Sequence, residues 1–266
     1  MRAAASSVYE SDEYLADYLL FHYGQPGEIC PFDFAPAGAS GFHERLAREM
    51  VGALPKSSDG APTRALDLGC AVGRLTFELS GLVDEAIGID SSTRFIMAAR
   101  HIAENHSIQL GLRDEGEILE YKKFQLPAPF RQRKVRFEVG NAEALSPELG
   151  TFDVVVLSNL LDHLGHPMEC LRMLPRLVRA GGRLVISSPN TWRDEYTSKK
   201  NWLGGSVRRG VPIRTLDRLR TELESHFELL DRKDLPFLIR EHRRKYEWIV
   251  AEVTAWRRKS PVRPAG

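Results

Sequence analysis

Cysteine is scarce in this chain: Cys30, Cys70 and Cys170 are the only three in 266 residues. They are odd in number and far apart, which fits neither a disulfide framework nor a zinc-site spacing. A reducing, cytoplasmic compartment is the expectation. No apolar run approaches the ~18 residues of a membrane span, and Met1–Glu10 has no apolar h-region of a secretory signal. An excess of one charge is missing too. Lys and Arg number 37 against 36 for Asp and Glu, so the net charge of +1 gives no global field toward a nucleic acid or an anionic membrane. The basic runs Arg131-Gln132-Arg133-Lys134, Arg243-Arg244-Lys245 and Arg257-Arg258-Lys259 read as solvated faces or a tail. No internal repeat or low-complexity tract is evident. No metal cluster is evident either: His163 and His166 are the closest pair, and two ligands without a third make a poor zinc site.

What is present is a chain with 42% hydrophobic residues, enough for one sizeable α/β core. From Arg64 onward strand and helix patterns alternate. Strands are expected at Arg64–Leu68, Glu85–Ile89, Val135–Val139, Phe152–Ser158 and Gly182–Ser187, with helices at Arg74–Ser80, Thr93–Asn105 and Met168–Arg179. That order predicts right-handed βαβ units, a parallel sheet and helices on both faces. A helix near Thr215–Ser225 precedes two last strands, Phe227–Leu230 with Leu235–Ile239, then Trp248–Trp256. Ser107–Lys134 is long for a connection and reads as an inserted hairpin before the third strand, turning at Asp114-Glu115-Gly116-Glu117. A further helix is expected from Phe42 to about Leu54. At the amino end Tyr9, Tyr14, Tyr18, Phe21 and Tyr23 crowd together, and Tyr14, Tyr18 and Phe21 share one helical face. This segment is either a helix packed on the main domain or a lid over a site. The expected division is a helical, aromatic extension over 1–62, a main domain over 63–258 and a flexible tail over 259–266.

The chemistry collects at strand ends. Arg64-Ala65-Leu66-Asp67-Leu68-Gly69-Cys70-Ala71-Val72-Gly73-Arg74 runs from strand through a glycine-framed turn into helix. This is a cofactor turn at the carboxyl edge of a parallel sheet. Its glycines are spaced Gly-x-x-x-Gly, not the Gly-x-Gly-x-x-Gly that cradles a pyrophosphate. A cofactor with adenosine and no phosphate fits better, and S-adenosylmethionine is the commonest such molecule. Asp67 is placed to meet the amino group of its methionine part, and Gly69, Cys70, Ala71 and Gly73 to let the backbone approach. Asp90, followed by Ser91, closes the second strand where a carboxylate can accept from both ribose hydroxyls. Asn141 and Ala142 follow the third strand and suit the adenine. Ser158 and Asn159 leave the fourth strand beneath the expected sulfonium.

This order of motifs is that of the class I S-adenosylmethionine-dependent methyltransferases, which the chain resembles. The resemblance implies a Rossmann-like α/β fold whose seven-stranded, mostly parallel sheet ends in a reversed strand. A nucleobase acceptor is disfavoured, because the fourth strand does not lead into Asn-Pro-Pro-Tyr. A closer likeness is to the methyltransferase module of ovothiol biosynthesis, the 4-mercaptohistidine N1-methyltransferase type. It rests on Tyr18-Leu19-Leu20-Phe21-His22-Tyr23-Gly24, the Ala65–Arg74 turn, Gly116-Glu117, Asn159-Leu160-Leu161-Asp162, Ser188-Pro189-Asn190-Thr191-Trp192, Trp202-Leu203-Gly204-Gly205, Phe237-Leu238-Ile239-Arg240-Glu241 and Arg244-Lys245. Such modules are often fused behind an iron-dependent sulfoxide synthase, and no His-x-x-x-His spacing exists here to hold that iron. The likeness implies a stand-alone enzyme with no metal. Its acceptor would be 5-thiohistidine, or the selenium analogue 5-selenohistidine, methylated on the ring nitrogen nearest the side chain, with S-adenosylhomocysteine as by-product. An upstream sulfoxide synthase or lyase would be the pathway partner.

The ring nitrogen must lose its proton to attack. Asp162 is the first choice of base, beside Tyr14 (or another tyrosine of the amino-terminal helix) and solvent, with a helix cap the alternative role for Asp162. Arg240 suits the substrate carboxylate, and Glu241 or Asn159 the ammonium. Arg45 is assigned to the cofactor carboxylate. Tyr9, Tyr14, Tyr18, Trp192 and Trp202 are expected around the substrate.

Overall fold

The computed structural model describes residues 9–54 and 60–260. The last six positions of the expected tail, 261–266, lie outside the described residues. Strands β1 (Arg64–Leu68), β2 (Glu85–Asp90), β5 (Val135–Val139), β6 (Phe152–Ser158), β7 (Val178–Ser188), β10 (Phe227–His242) and β11 (Lys245–Arg258) form one sheet in the order β10-β11-β7-β6-β1-β2-β5. β1, β2, β5, β6 and β7 run parallel, while β11 is antiparallel to both β7 and β10. The seven-stranded, mostly parallel sheet with a reversed last strand is therefore present. The chain leaves β1 to one side for β2 and returns to its other side for β6. That reversal opens a crevice at the carboxyl ends of β1 and β6.

Burial explains why these segments become strands. Phe152–Leu157 is buried without a break, as a strand covered on both faces must be. Leu66, Leu68, Val155 and Leu157 pack toward α6 (Pro167–Leu177) and α7 (Thr215–Leu223). Their neighbours Ala65, Val154 and Val156 pack on the opposite face with Phe42 and Leu46 of α3 (Phe42–Leu46) and Leu75 and Leu79 of α4 (Arg74–Ser80). α5 (Thr93–Asn105) follows β2 and is capped by Ser92, whose side chain accepts from the Phe95 N–H.

The insertion is a hairpin of β3 (Ser107–Glu115) and β4 (Ile118–Gln125), turning at Gly116. Its Leu112 and Phe124 join Leu15, Leu19 and Tyr23 of α1 (Asp12–Tyr23) in one core. The short α2 (Pro26–Ile29) follows. A small third sheet pairs β8 (Ser206–Arg208) with β9 (Val211–Ile213).

Several boundaries differ from the sequence reading, three of them for a visible reason. The Phe42 helix loosens into a wide turn at Ala47–Val51 and stops there. α6 ends at Leu177 because Val178 already pairs with Phe152. β10 is one strand of 16 residues, running through the polar stretch Asp231–Asp234 and through Pro236. It is the sheet edge, where polar side chains and a proline cost little.

Gly73 shows how tightly the cofactor turn is built. It caps α4 with φ +88°, and a Cβ there would sit 2.6 Å from the Phe137 ring. Gly73→Ala is expected to destabilise the fold by about 2–4 kcal/mol, combining a left-handed alanine with overpacking. Urea denaturation checks this, and a midpoint unchanged from wild type contradicts the packing account.

Candidate active site

A crevice of about 370 Å³ lies along the carboxyl ends of β1, β2, β5 and β6 and is roofed by α1. Among its lining residues are Asp67, Gly69, Cys70, Ala71, Asp90, Ser91, Asn141, Ala142, Ser158 and Asn159. Ten of the expected strand-end residues thus converge from four separate strands.

Asp90 organises the turn. Its Oδ2 accepts from the Ala71 N–H at 2.9 Å and its Oδ1 from the Ser92 N–H at 2.8 Å. Each carboxylate oxygen keeps a second lone pair for a ligand hydroxyl. The Gly69 and Cys70 N–H groups donate to the Ile89 carbonyl at 2.8 and 3.1 Å, which fixes the turn against β2. Gly69 adopts φ +74°, with Leu160 packed where a side chain would go. Asp67 is buried, and its Oδ2 accepts from the Thr76 hydroxyl at 2.7 Å. Burial pushes its carboxyl up to about 7, partly offset by Thr76. Its Oδ1 has no partner, and the crevice it lines is the place to find one.

Asn159 leaves β6 with φ +51°. Its N–H donates to the Ser187 carbonyl at 2.9 Å, and the Ser187 hydroxyl donates to its Oδ1 at 3.0 Å. A side chain held from two directions presents a fixed amide to the crevice. Asn141 Oδ1 accepts from the Glu143 N–H at 2.8 Å, a local turn that sets its direction.

The roof is aromatic. Tyr9 meets Tyr14 edge-on at 5.7 Å between centroids, and Tyr18 lies 4.8 Å from Phe95. The segment is tied over the end of β2: the Ser92 hydroxyl donates to the Tyr9 carbonyl at 3.2 Å, and the Arg94 N–H to Glu10 at 3.2 Å. Burial raises Tyr9, Tyr14 and Tyr18, so their phenols remain donors. His22 and His43 also line the crevice, with rings 3.9 Å apart. Burial lowers His22 to about 3 and His43 well below its usual value, so both rings are neutral. The Arg74 N–H approaches His22 Nδ1 at 3.4 Å, which leaves the ring proton on Nε2.

Six expected site residues stand elsewhere. Arg45 donates to the carbonyls of Gly38 and Pro236 at 2.8 and 2.6 Å and braces loops rather than a ligand. Gly73 shapes the turn without lining the crevice. Asp162 is fully buried, accepting from the Ser188 hydroxyl at 3.0 Å and the Thr191 N–H at 2.8 Å. It therefore pins the segment after β7 and is sealed from any substrate. Trp192 is a core side chain whose Nε1 donates to the Thr215 hydroxyl at 2.9 Å. Trp202 donates to the Thr197 carbonyl at 2.7 Å and lines a separate cavity of about 330 Å³ with Arg172 and Lys200. Arg240 is buried and donates to the Glu28 carbonyl at 2.9 Å, which helps hold α2 against β10. Gly73 apart, the sequence marked conspicuous side chains, and folding used each to tie one segment to another.

The sequence reading missed Asp17, His22, His43, His163, Arg193, Tyr196 and Glu247, all of which line the crevice. Asp17 was within reach, because positions 14, 17, 18 and 21 form one i, i+3, i+4, i+7 face. Tyr196 and Arg193 enter from the irregular segment after β7, which carries no periodic signal.

The donor set fits S-adenosylmethionine. Asp90 would hold the ribose hydroxyls, Asn141 and Ala142 the adenine, and the orphaned oxygen of Asp67 the amino group. Among the described residues no three side chains are grouped to hold a metal ion, and no helix is long and apolar enough to cross a membrane.

A switch-point crevice with these strand ends defines a methyltransferase-type site on a Rossmann-like fold. A family model described as "Methyltransferase domain" matches residues 41–226, and the chain belongs to that family. A ubiquinone biosynthesis O-methyltransferase of Burkholderia orbicola is 31% identical over 131 residues, 49% of this chain and 46% of the relative. An uncharacterised 37.1 kDa protein of a Streptomyces fradiae transposon is 29% identical over 175 residues, 64% of this chain and 41% of that protein. The chain spans about half the length, or less, of these curated relatives. In fold it is similar to the [4+2]-cyclase SpnF, with TM-score 0.58, 14% identity and coverage of 97% of this chain and 96% of that one. It is also similar to the N-methyltransferase NodS of Bradyrhizobium japonicum in complex with S-adenosylhomocysteine. There the TM-score is 0.51 with 16% identity, covering 92% and 99% of the two chains. Likeness at such identity speaks to the fold alone, and the cyclase shows that one fold serves more than one chemistry.

Proposed function

We propose that the protein is an S-adenosylmethionine-dependent N-methyltransferase acting on the side-chain-proximal ring nitrogen of 5-thiohistidine or 5-selenohistidine, to give ovothiol or ovoselenol. The observation that carries the reading is the remainder of the crevice lining. Beyond the strand-end residues the crevice is lined by Tyr9, Tyr14, Tyr18 and Tyr196, by Asp17, Glu241 and Glu247, and by Arg193. Phenols suit an imidazole plane, carboxylates suit an α-ammonium, and a guanidinium suits a carboxylate. Arg193 takes here the part that sequence position gave to Arg240.

When bound, the cofactor supplies an electrophilic methyl carbon on its sulfonium. The chain's own residues have to align the acceptor. Holding a nucleophile at ~3–3.5 Å in line is worth several kcal/mol of the barrier. The chalcogen is the softer nucleophile, so selectivity for nitrogen depends on orientation. The amide of Asn159, fixed by Ser187, and the phenols of Tyr14 and Tyr196 are the groups that would hold the ring edge.

The test is incubation with S-adenosylmethionine and 5-thiohistidine, then location of the methyl group by NMR. Methyl on the proximal ring nitrogen is expected. No turnover of either chalcogen substrate, or methyl on sulfur or selenium, sinks the assignment. A second reading, a methyltransferase for another small acceptor, is favoured by the half-chain likeness to an O-methyltransferase. A panel of phenols, carboxylates, amines and thiols in the same assay separates the two. On the first reading the enzyme acts in the cytoplasm, downstream of a sulfoxide synthase that makes the chalcogen–carbon bond to the ring, or of a lyase that releases the free thiol or selenol.

A further inference from the structure

We propose that Asp17 is the proton acceptor for the ring N–H of the acceptor in this methyl transfer. The inference rests on the N-methyltransferase reading and deepens it by assigning the base. Asp17 lies on α1 between Tyr14 and Tyr18 and lines the crevice with Tyr196 and Glu241. Its side chain makes no ion pair with any described residue, although Arg113 and Arg240 both act on it through space. Neither of its oxygens is among the sealed, unpartnered atoms of the described residues. Asp162 differs, since it is fully buried and its oxygens already accept from Ser188 and Thr191.

The surroundings give Asp17 the basicity the role needs. Burial, then Glu13 of its own helix and Glu241 of β10, push its carboxyl up to about 8. Arg113 of β3 and Arg240 of β10 pull the other way without cancelling the rise. Tyr14, one turn before it on the helix, is itself raised, by burial and then by Tyr196 and Asp17, and stays a donor. A carboxylate of such a pKa binds a proton far more firmly than an ordinary surface aspartate, which is the property a general base near neutrality requires.

The step balances as follows. The electron pair left on the ring nitrogen when its N–H gives up the proton bonds the methyl carbon while the carbon–sulfur bond breaks, the pair of that bond remaining on sulfur. The proton passes to the Asp17 carboxylate and from there to solvent through the open crevice.

The experiment compares wild type, Asp17→Asn and Asp17→Glu in kcat/KM for 5-thiohistidine from pH 6 to 9.5, with S-adenosylhomocysteine affinity measured by calorimetry. Wild type should lose about tenfold in kcat/KM per pH unit below about 8. Asp17→Asn should be at least ~100-fold slower at pH 8.5 and should lack that limb. Asp17→Glu should restore part of the rate and the limb. S-adenosylhomocysteine should bind both variants within about twofold of wild type, since the strand-end residues are untouched. An Asp17→Asn enzyme that keeps both rate and limb overturns the inference and leaves the proposed function standing. Weakened S-adenosylhomocysteine binding matched by the rate loss also overturns it, by showing a structural effect. A wild-type enzyme that turns over no N–H acceptor overturns the proposed function, and this inference falls with it.

Discussion

Asp90→Ala should weaken S-adenosylhomocysteine binding at least ~100-fold, measured by calorimetry at pH 7.5. The carboxylate has two expected duties. Each charge-assisted hydrogen bond to a ribose hydroxyl is worth ~1.5–3 kcal/mol, and tenfold in affinity corresponds to ~1.4 kcal/mol. Two such bonds account for a loss of this size. The side chain also receives the Ala71 and Ser92 N–H groups, so truncation frees the turn that approaches the ligand. Asp90→Asn separates the duties. It keeps one oxygen acceptor and the shape, so an intermediate loss is expected. If Asp90→Ala binds S-adenosylhomocysteine within about fivefold of wild type, the cofactor does not lie along β2 and the crevice assignment is wrong.

Asp162→Ala should lower stability by about 2–5 kcal/mol, because it leaves the buried Ser188 hydroxyl and Thr191 N–H unpaired. Burial opposes ionisation of Asp162, but His163, Ser188 and Thr191 outweigh it and hold its carboxyl below the usual range. A depressed native pKa stabilises the fold above the unfolded value, and that contribution disappears as pH falls through the native one. The wild-type minus variant difference in urea stability should therefore be full at pH 7 and shrink below about pH 4. Asp162→Asn offers one oxygen for two donors and should fall between wild type and alanine. A catalytic base would behave in the opposite way. Were Asp162→Asn as stable as wild type yet ~100-fold slower, the bracing role would be refuted and the sequence-level assignment restored.

The contrast between these two aspartates shows what was legible beforehand. Asp90 closes a strand whose position and direction follow from its apolar pattern, so its side chain had one place to go. Asp67, Gly69, Ala71, Asn141 and Asn159 were readable for the same reason, since the carboxyl edge of a parallel sheet is a shared address. Asp162 lies within the short turn Leu161–His163 after β6, where direction depends on which partner arrives across space. Ser188 and Thr191 arrive from the carboxyl end of β7, and they claim it. Arg45, Trp192, Trp202 and Arg240 were conspicuous for the same chemistry that made them good braces: long or aromatic side chains with donors able to satisfy buried carbonyls and hydroxyls. Asp17 and Tyr196 were overlooked because one looked like an ordinary helix-surface acid and the other sits in a loop without period.

By itself the sequence determined the sheet, the order of βαβ units and the cofactor edge. Those features follow from hydrophobic period, glycine conformation and chain connectivity, which are local properties. Only the tertiary structure decided which side chains face the acceptor. It brought α1, the segment after β7 and the β10–β11 hairpin over one crevice, placing Tyr14, Asp17, Tyr196 and Glu241 together. Such convergence is set by packing between elements far apart in the chain, and no pattern along the chain records it.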